Sequence, residues 1–167
     1  DCHNPQKPMF NRAVCPIIDE GGQNVIGAAG RRILEKEYLQ KWKYSYGFKS
    51  GSNLYGLWFA KQRILETSRV ILVEGMLDVA KLHELGYTET VGLFGVNVTP
   101  NHIDILNRMG VMNVSILLDG DEAVELALKR NTEKLKDYFN VRALKCPKDK
   151  DPDELSGEEL KCLLRNN

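Results

Sequence analysis

The chain has 167 residues, 43% of them hydrophobic, with 23 basic and 23 acidic side chains and a formal net charge of zero. That supports one good core and a small second lobe, and no apolar run reaches the roughly 18–20 residues that a membrane span needs. The charges are divided unevenly: residues 1–69 hold 11 Lys and Arg against 6 Asp and Glu, a balance of +5, and residues 70–167 hold the other 12 against 17, a balance of −5.

A polar lead-in comes first. Residues 13–19 and 24–29 are β-prone runs separated by Glu20-Gly21-Gly22-Gln23, a hairpin signal. The second run leads through Gly27-Ala28-Ala29-Gly30 into Arg31-Arg32. Small residues there admit another backbone or a ligand. The arginines then either meet phosphate or are ordinary surface charges. Residues 33–40 read as a short helix. From Lys41 to Gly51, basic residues interleave with Trp42, Tyr44, Tyr46 and Phe48. Either lysines hold phosphates while rings stack on the bases of a single strand, or the rings face inward and the lysines alternate outward along an edge strand. Residues 54–67 read as a helix whose apolar face is Leu54, Leu57, Trp58, Ala60, Ile64 and Leu65.

From Arg69 the rhythm becomes β-α-β-α-β-α-β, with strands at 70–73, 90–94, 114–118 and 141–144. Helices are expected at about 77–85, from Pro100 to Met109 with Thr99 as cap, and at about 122–138. A charged loop, Lys148-Asp149-Lys150-Asp151-Pro152-Asp153, precedes a closing helix through 160–164. Alternation of this kind implies right-handed crossovers and a Rossmann-like parallel sheet. Two of the strands end abruptly in acid and glycine, Glu74-Gly75 and Asp119-Gly120-Asp121. In open α/β sheets chemistry sits just outside the carboxyl ends of the strands. Glu74, Asp119 and Asp121 would therefore converge, and three crowded carboxylates invite Mg²⁺ or Mn²⁺, which prefer hard oxygen ligands. The basic half suits an anionic polymer and the acidic half a metal, although chance alone gives such an imbalance too. The four cysteines, Cys2, Cys15, Cys146 and Cys162, lack C-x-x-C or zinc-ribbon spacing and read as free thiols in a reducing cytosol.

Glu74-Gly75-Met76-Leu77-Asp78, the Leu93-Phe94-Gly95 turn before Thr99-Pro100-Asn101-His102-Ile103, Leu118-Asp119-Gly120-Asp121-Glu122-Ala123 and Asp151-Pro152-Asp153 resemble the Toprim domain. Pro16-Ile17-Ile18-Asp19, Val25-Ile26-Gly27, Gly30-Arg31 and the join from Phe48 through Leu54-Tyr55-Gly56-Leu57 resemble the basic subdomain of bacterial-type replicative primases. The resemblance covers roughly residues 10–160. It implies a Toprim α/β fold behind a small mixed α+β basic lobe, divided as a template-binding lobe over 1–68 and a metal-binding catalytic domain over 69–167. It implies DNA-directed RNA primer synthesis with Mg²⁺ or Mn²⁺, on a single-stranded DNA template, from ribonucleoside triphosphates. A replicative helicase would join through regions outside this chain. The setting would be a bacterial cytoplasm or that of a virus-infected cell, with no membrane partner. Residue by residue, Glu74 becomes a metal ligand or general base, Asp119 and Asp121 metal ligands, Asp151 and Asp153 an outer acidic pair, and Asp78 a support. Arg31, Arg32, Lys41, Lys43 and Lys49 would hold template or nucleotide phosphates.

Two departures stand out. Val124 occupies a position where the primase pattern has glycine, and the stretch 40–51 is short with its lysine shifted by one. Alternative readings are a Toprim nuclease or topoisomerase fragment, or a non-catalytic nucleic-acid-binding module. No tyrosine stands in a recognisable topoisomerase context.

Overall fold

The computed structural model describes residues 9–33, 40–120, 122–147 and 150–165. Most of the helix expected over 33–40, and Asp121, lie outside the described residues. The chain divides into two units, 1–49 and 50–167.

In the first unit β1 (Arg12–Ile18), β2 (Val25–Arg32) and β3 (Trp42–Tyr44) form an antiparallel sheet in that order. The expected hairpin is present. Asp19 closes it, its carboxylate accepting from the Gln23 N–H at 3.0 Å and the Asn24 amide at 2.7 Å. Gly27 is required, because a Cβ there would lie 2.7 Å from the Phe48 ring. Arg12 is buried and donates to the Gly30 carbonyl at 2.9 Å, fixing one edge of the sheet.

The second unit is built on four parallel strands: β4 (Arg69–Val73), β5 (Thr90–Gly92), β6 (Asn113–Leu118) and β7 (Asn140–Lys145), ordered β5-β4-β6-β7. Among the described residues, five α-helices accompany them: α1 (Leu57–Thr67), α2 (Met76–Glu84), α3 (Pro100–Arg108), α4 (Glu122–Leu135) and α5 (Gly157–Arg165). Side chains of β4 alternate between two cores. Val70 and Leu72 join Leu57, Ala60, Ile64, Leu106 and Leu135, whereas Ile71 and Val73 join Val79, Leu82, Leu155 and Leu160. Burial on both faces explains why β4 reads as an apolar run from Val70 to Val73 and β6 as one broken only by the half-buried Ser115. The α/β class and the strand–helix rhythm expected from the sequence are both observed.

The helix expected from residue 54 begins at Leu57. Tyr55 instead bridges to Gly92, and Gly56 turns the chain at φ +78°. The buried stripe of α1 is Leu57, Ala60 and Ile64. Trp58 and Leu65, placed on that stripe from the sequence, are 43% and 57% exposed, because each sits one residue round from it. By its packing α1 belongs to the core of the second unit, not to a lobe ending at 68.

Candidate metal and catalytic site

The strand order puts a switch point between β4 and β6. The chain leaves β4 through α2 to β5 on one side, then crosses through α3 to β6 on the other. Crevices at such points are where open α/β sheets bind ligands. Glu74 follows the last residue of β4 and Asp119 the last residue of β6, so these acids flank the crevice.

Asp78 sits in the first turn of α2, where it is 7% exposed and accepts the Gly75 N–H at 2.7 Å. Burial pushes its carboxyl up to about 6. The Gly75 hydrogen bond opposes this, while the charges of Asp153, Glu74 and Asp151 add to it. Asp78 therefore feels three of the other expected acids.

Cys146, just past β7, gives a second view of the same field. Its buried thiol is pushed up to about 12, first by desolvation and then by Asp119, Asp151, Asp78 and Glu159. The loop carrying Asp151 and Asp153 is tied in by the Gly120 N–H, which donates to the Lys150 carbonyl at 3.0 Å. The Lys150 ammonium meets Glu159 at 2.7 Å. Glu159 is held down to about 2 by that contact first, and by Ser156 next.

Glycines shape the floor of this region. A Cβ on Gly92 would lie 3.1 Å from the Gly75 carbonyl, and one on Gly75 would lie 3.2 Å from the Asp78 carboxylate. Phe94 takes a left-handed backbone conformation (φ 59°), and Gly95 beside it donates its N–H to the Glu74 carbonyl at 3.2 Å.

Glu74, Asp78, Asp119, Asp151 and Asp153 are thus gathered at the carboxyl edge of one sheet. Among the described residues, no three His, Cys, Asp or Glu side chains stand close enough to hold an ion by themselves. Asp121, the remaining expected ligand, lies outside the described residues. The donor set fits a hard divalent cation: it is all carboxylate, and the charges of Asp153, Glu74 and Asp151 add to the burial that raises Asp78, an addition that a cation would relieve.

The expected basic residues all fall in the first unit. Lys41, Lys43 and Lys49 are exposed, and β3 is an edge strand with Trp42 and Tyr44 half-buried. Geometrically this is the alternating arrangement, rings inward and lysines outward. Arg31 and Arg32 are half-buried, and the Arg31 guanidinium lies over the Trp42 ring, 5.6 Å from its centroid. The fully exposed ring is that of Tyr46.

Residues 71–156, from β4 to the turn after β7, match the Toprim-like family. The chain belongs to the Toprim-like family. It is 37% identical over 167 residues to the DNA primase of Aquifex aeolicus, which covers 95% of this chain and 33% of that protein. The crystal structure of the zinc-binding and RNA polymerase domains of the Aquifex aeolicus primase superposes with a TM-score of 0.82 at 36% identity, covering 96% of this chain and 42% of the other. A DnaG primase catalytic domain bound to single-stranded DNA superposes with a TM-score of 0.79 at 31% identity, covering 92% and 51%. This Toprim-like chain therefore spans a third of the length of its Aquifex relative.

Three buried side chains hold places that the sequence did not suggest. Cys146 borders the acidic cluster. His102 and Asn131, both wholly buried, tie loops to α3 and α4. A polar residue inside a helix carries no sequence mark of a partner that folding brings from far along the chain.

Proposed function

We propose that this chain is the catalytic core of a DNA primase, performing DNA-directed RNA primer synthesis by divalent-metal-dependent nucleotidyl transfer. The observation that carries this is the placement of Glu74 and Asp119 at the switch point of a Toprim-like sheet, in a chain alike over nearly its whole length to DNA primases. Toprim-type primases are in general metal-dependent, and Mg²⁺ or Mn²⁺ suits these carboxylates.

Glu74, Asp119 and Asp121 would hold the ions, with Asp151 and Asp153 as an outer pair. Bound ions would stabilise the charge on the attacking oxygen and on the pyrophosphate leaving group. Glu74 accepts the proton of the primer 3′ hydroxyl as that oxygen bonds to the α-phosphorus and the bond to pyrophosphate breaks. Asp78 fixes the Gly75 backbone and so the direction from which Glu74 enters the site. The template is single-stranded DNA, held by Arg31, Arg32, Lys41, Lys43 and Lys49 on the first unit. The substrates are ribonucleoside triphosphates. A replicative helicase would engage segments outside this chain, in the cytoplasm where replication proceeds. Among the described residues no helix is long and apolar enough to cross a membrane.

The test supplies labelled ribonucleoside triphosphates, Mg²⁺ or Mn²⁺ and single-stranded DNA to the wild type and to Asp119→Asn. Short RNA made by the wild type and lost in the variant supports the reading. No RNA from the wild type, or equal RNA from both, overturns it.

A further inference from the structure

Asn131 lies in the middle of α4 with no exposed surface. Both ends of its side-chain amide are used. Oδ1 accepts the Val98 N–H at 3.0 Å, and Nδ2 donates to the Val96 carbonyl at 2.7 Å. Its neighbours reach the same loop: Arg130 donates to the Asn97 side chain at 3.3 Å and Lys134 to the Val98 carbonyl at 3.0 Å. Three side chains of one helix thus grip three successive loop residues. The bond from the Val98 N–H to Asn131 is the buried one of the four, where an unmet donor or acceptor is most costly.

That loop is not remote from the acids. It begins at Phe94, in its left-handed conformation, and Gly95 then donates to the carbonyl of Glu74. At its other end α4 begins at Glu122, directly after the Asp119-Gly120-Asp121 run. The ring closes through β4 and β6, which are paired neighbours. From Asn131 back to Glu122 is about two and a half turns of helix, a stiff strut about 13 Å long.

We propose that Asn131 is a positioning residue that holds the Glu74 end of β4 in register with the Asp119 loop, so that the acids meet a divalent cation already arranged. This rests on the reading of those acids as a metal site. Asn131 touches neither metal nor substrate. It acts through the 94–98 loop, as outer-shell groups orient the ligands of a site.

The experiment compares the wild type with Asn131→Leu, Asn131→Asp and a control, Met109→Ala. Asn131→Leu deletes both hydrogen bonds, and Asn131→Asp keeps the acceptor and loses the donor. Met109 is a buried residue at the C-terminal end of α3, and its truncation weakens the same core while leaving every hydrogen bond between α4 and the loop in place. Mn²⁺ affinity is measured by electron paramagnetic resonance at a temperature where all four proteins are folded by circular dichroism. Amide exchange is followed at Gly95, Val96 and Val98. Both Asn131 variants should bind Mn²⁺ about tenfold more weakly, in line with outer-shell changes elsewhere, and should lose protection at Gly95. Met109→Ala should melt lower yet keep wild-type affinity and Gly95 protection. Wild-type affinity in both Asn131 variants, or an equal loss in Met109→Ala, overturns the proposal, and so does unchanged Gly95 protection. A wild type that binds no Mn²⁺ while the Gly95 amide depends on Asn131 overturns the metal reading and leaves the clamp standing.

Discussion

The Gly75 N–H and the Asp78 carboxylate meet at 2.7 Å, a contact that caps α2 and fixes the backbone next to Glu74. The cap is built from a carboxyl that burial and neighbouring acids raise to about 6 from an ordinary 3.8. Between those values the folded protein binds more protons than the unfolded chain, so stability from this group is fully present below 3.8 and declines as pH rises through about 6. The two-unit shift corresponds to about 3 kcal/mol at most. Asp78→Asn keeps an acceptor for Gly75 and removes the charge. In metal-free buffer the variant should be more stable than the wild type at pH 8 and close to it at pH 4, as read from urea unfolding midpoints. A variant less stable than the wild type at pH 8 would mean that the carboxylate has a cationic partner.

His102 titrates in the opposite sense. Its Nδ1 accepts the Thr99 N–H at 3.3 Å, which places the proton on Nε2, and Nε2 donates to the Asn53 carbonyl at 3.0 Å. Burial holds its pKa below the usual 6.5. Stability from the neutral ring is therefore present above 6.5 and is lost as pH falls through the lower folded value. His102→Ala leaves a cavity and unmet partners, worth about 2–4 kcal/mol at pH 7.5. The gap between variant and wild type should narrow at pH 5.5. A gap that stays constant would show that the ring is held by packing alone.

Glu74→Gln tests the proposed base and ligand directly. The amide keeps the shape of the side chain but neither takes a proton nor balances a cation. Primer synthesis should fall at least a hundredfold, with circular dichroism unchanged and Mn²⁺ binding weakened. Retained synthesis in a folded variant would assign Glu74 a structural part only.

The sheet was legible because its strands announce themselves. Val70–Val73 is apolar throughout and Val114–Leu118 is apolar but for Ser115, both end in acid, and the observed β4 and β6 differ from the expected bounds by one residue. The start of α1 was not legible. Leu54 and Tyr55 continue a helical apolar pattern, and the pairing of Tyr55 with Gly92, 37 positions on, together with the left-handed turn at Gly56, breaks it. The acids Glu74 and Asp119 were readable from their place after β-branched runs. His102 and Asn131 were not, because their partners lie on segments about 50 and 33 residues away. The sequence also left two arrangements open for the lysines and rings of 41–49. Pairing of β3 along one edge of β2 selects the alternating one.

That arrangement leaves Lys41, Lys43 and Lys49 exposed in the first unit. If they follow a template backbone, each neutralised phosphate releases a counterion, and affinity for single-stranded DNA falls with salt by about 0.7 in log–log slope per contact. Replacing all three by alanine should weaken binding of an oligothymidylate and flatten that slope by up to about 2, as measured by fluorescence anisotropy from 50 to 300 mM salt. Mn²⁺ affinity should not change. The aromatic partners separate by their burial. Trp42 is half-buried beneath Arg31, so Trp42→Ala should disturb the sheet and lower the melting temperature. Tyr46 is fully exposed, so Tyr46→Ala should leave the melting temperature alone and cost affinity without changing the salt slope if its ring stacks on a base. Wild-type affinity and slope in the triple lysine variant would make those lysines a solvated face and move the template path to Arg31 and Arg32.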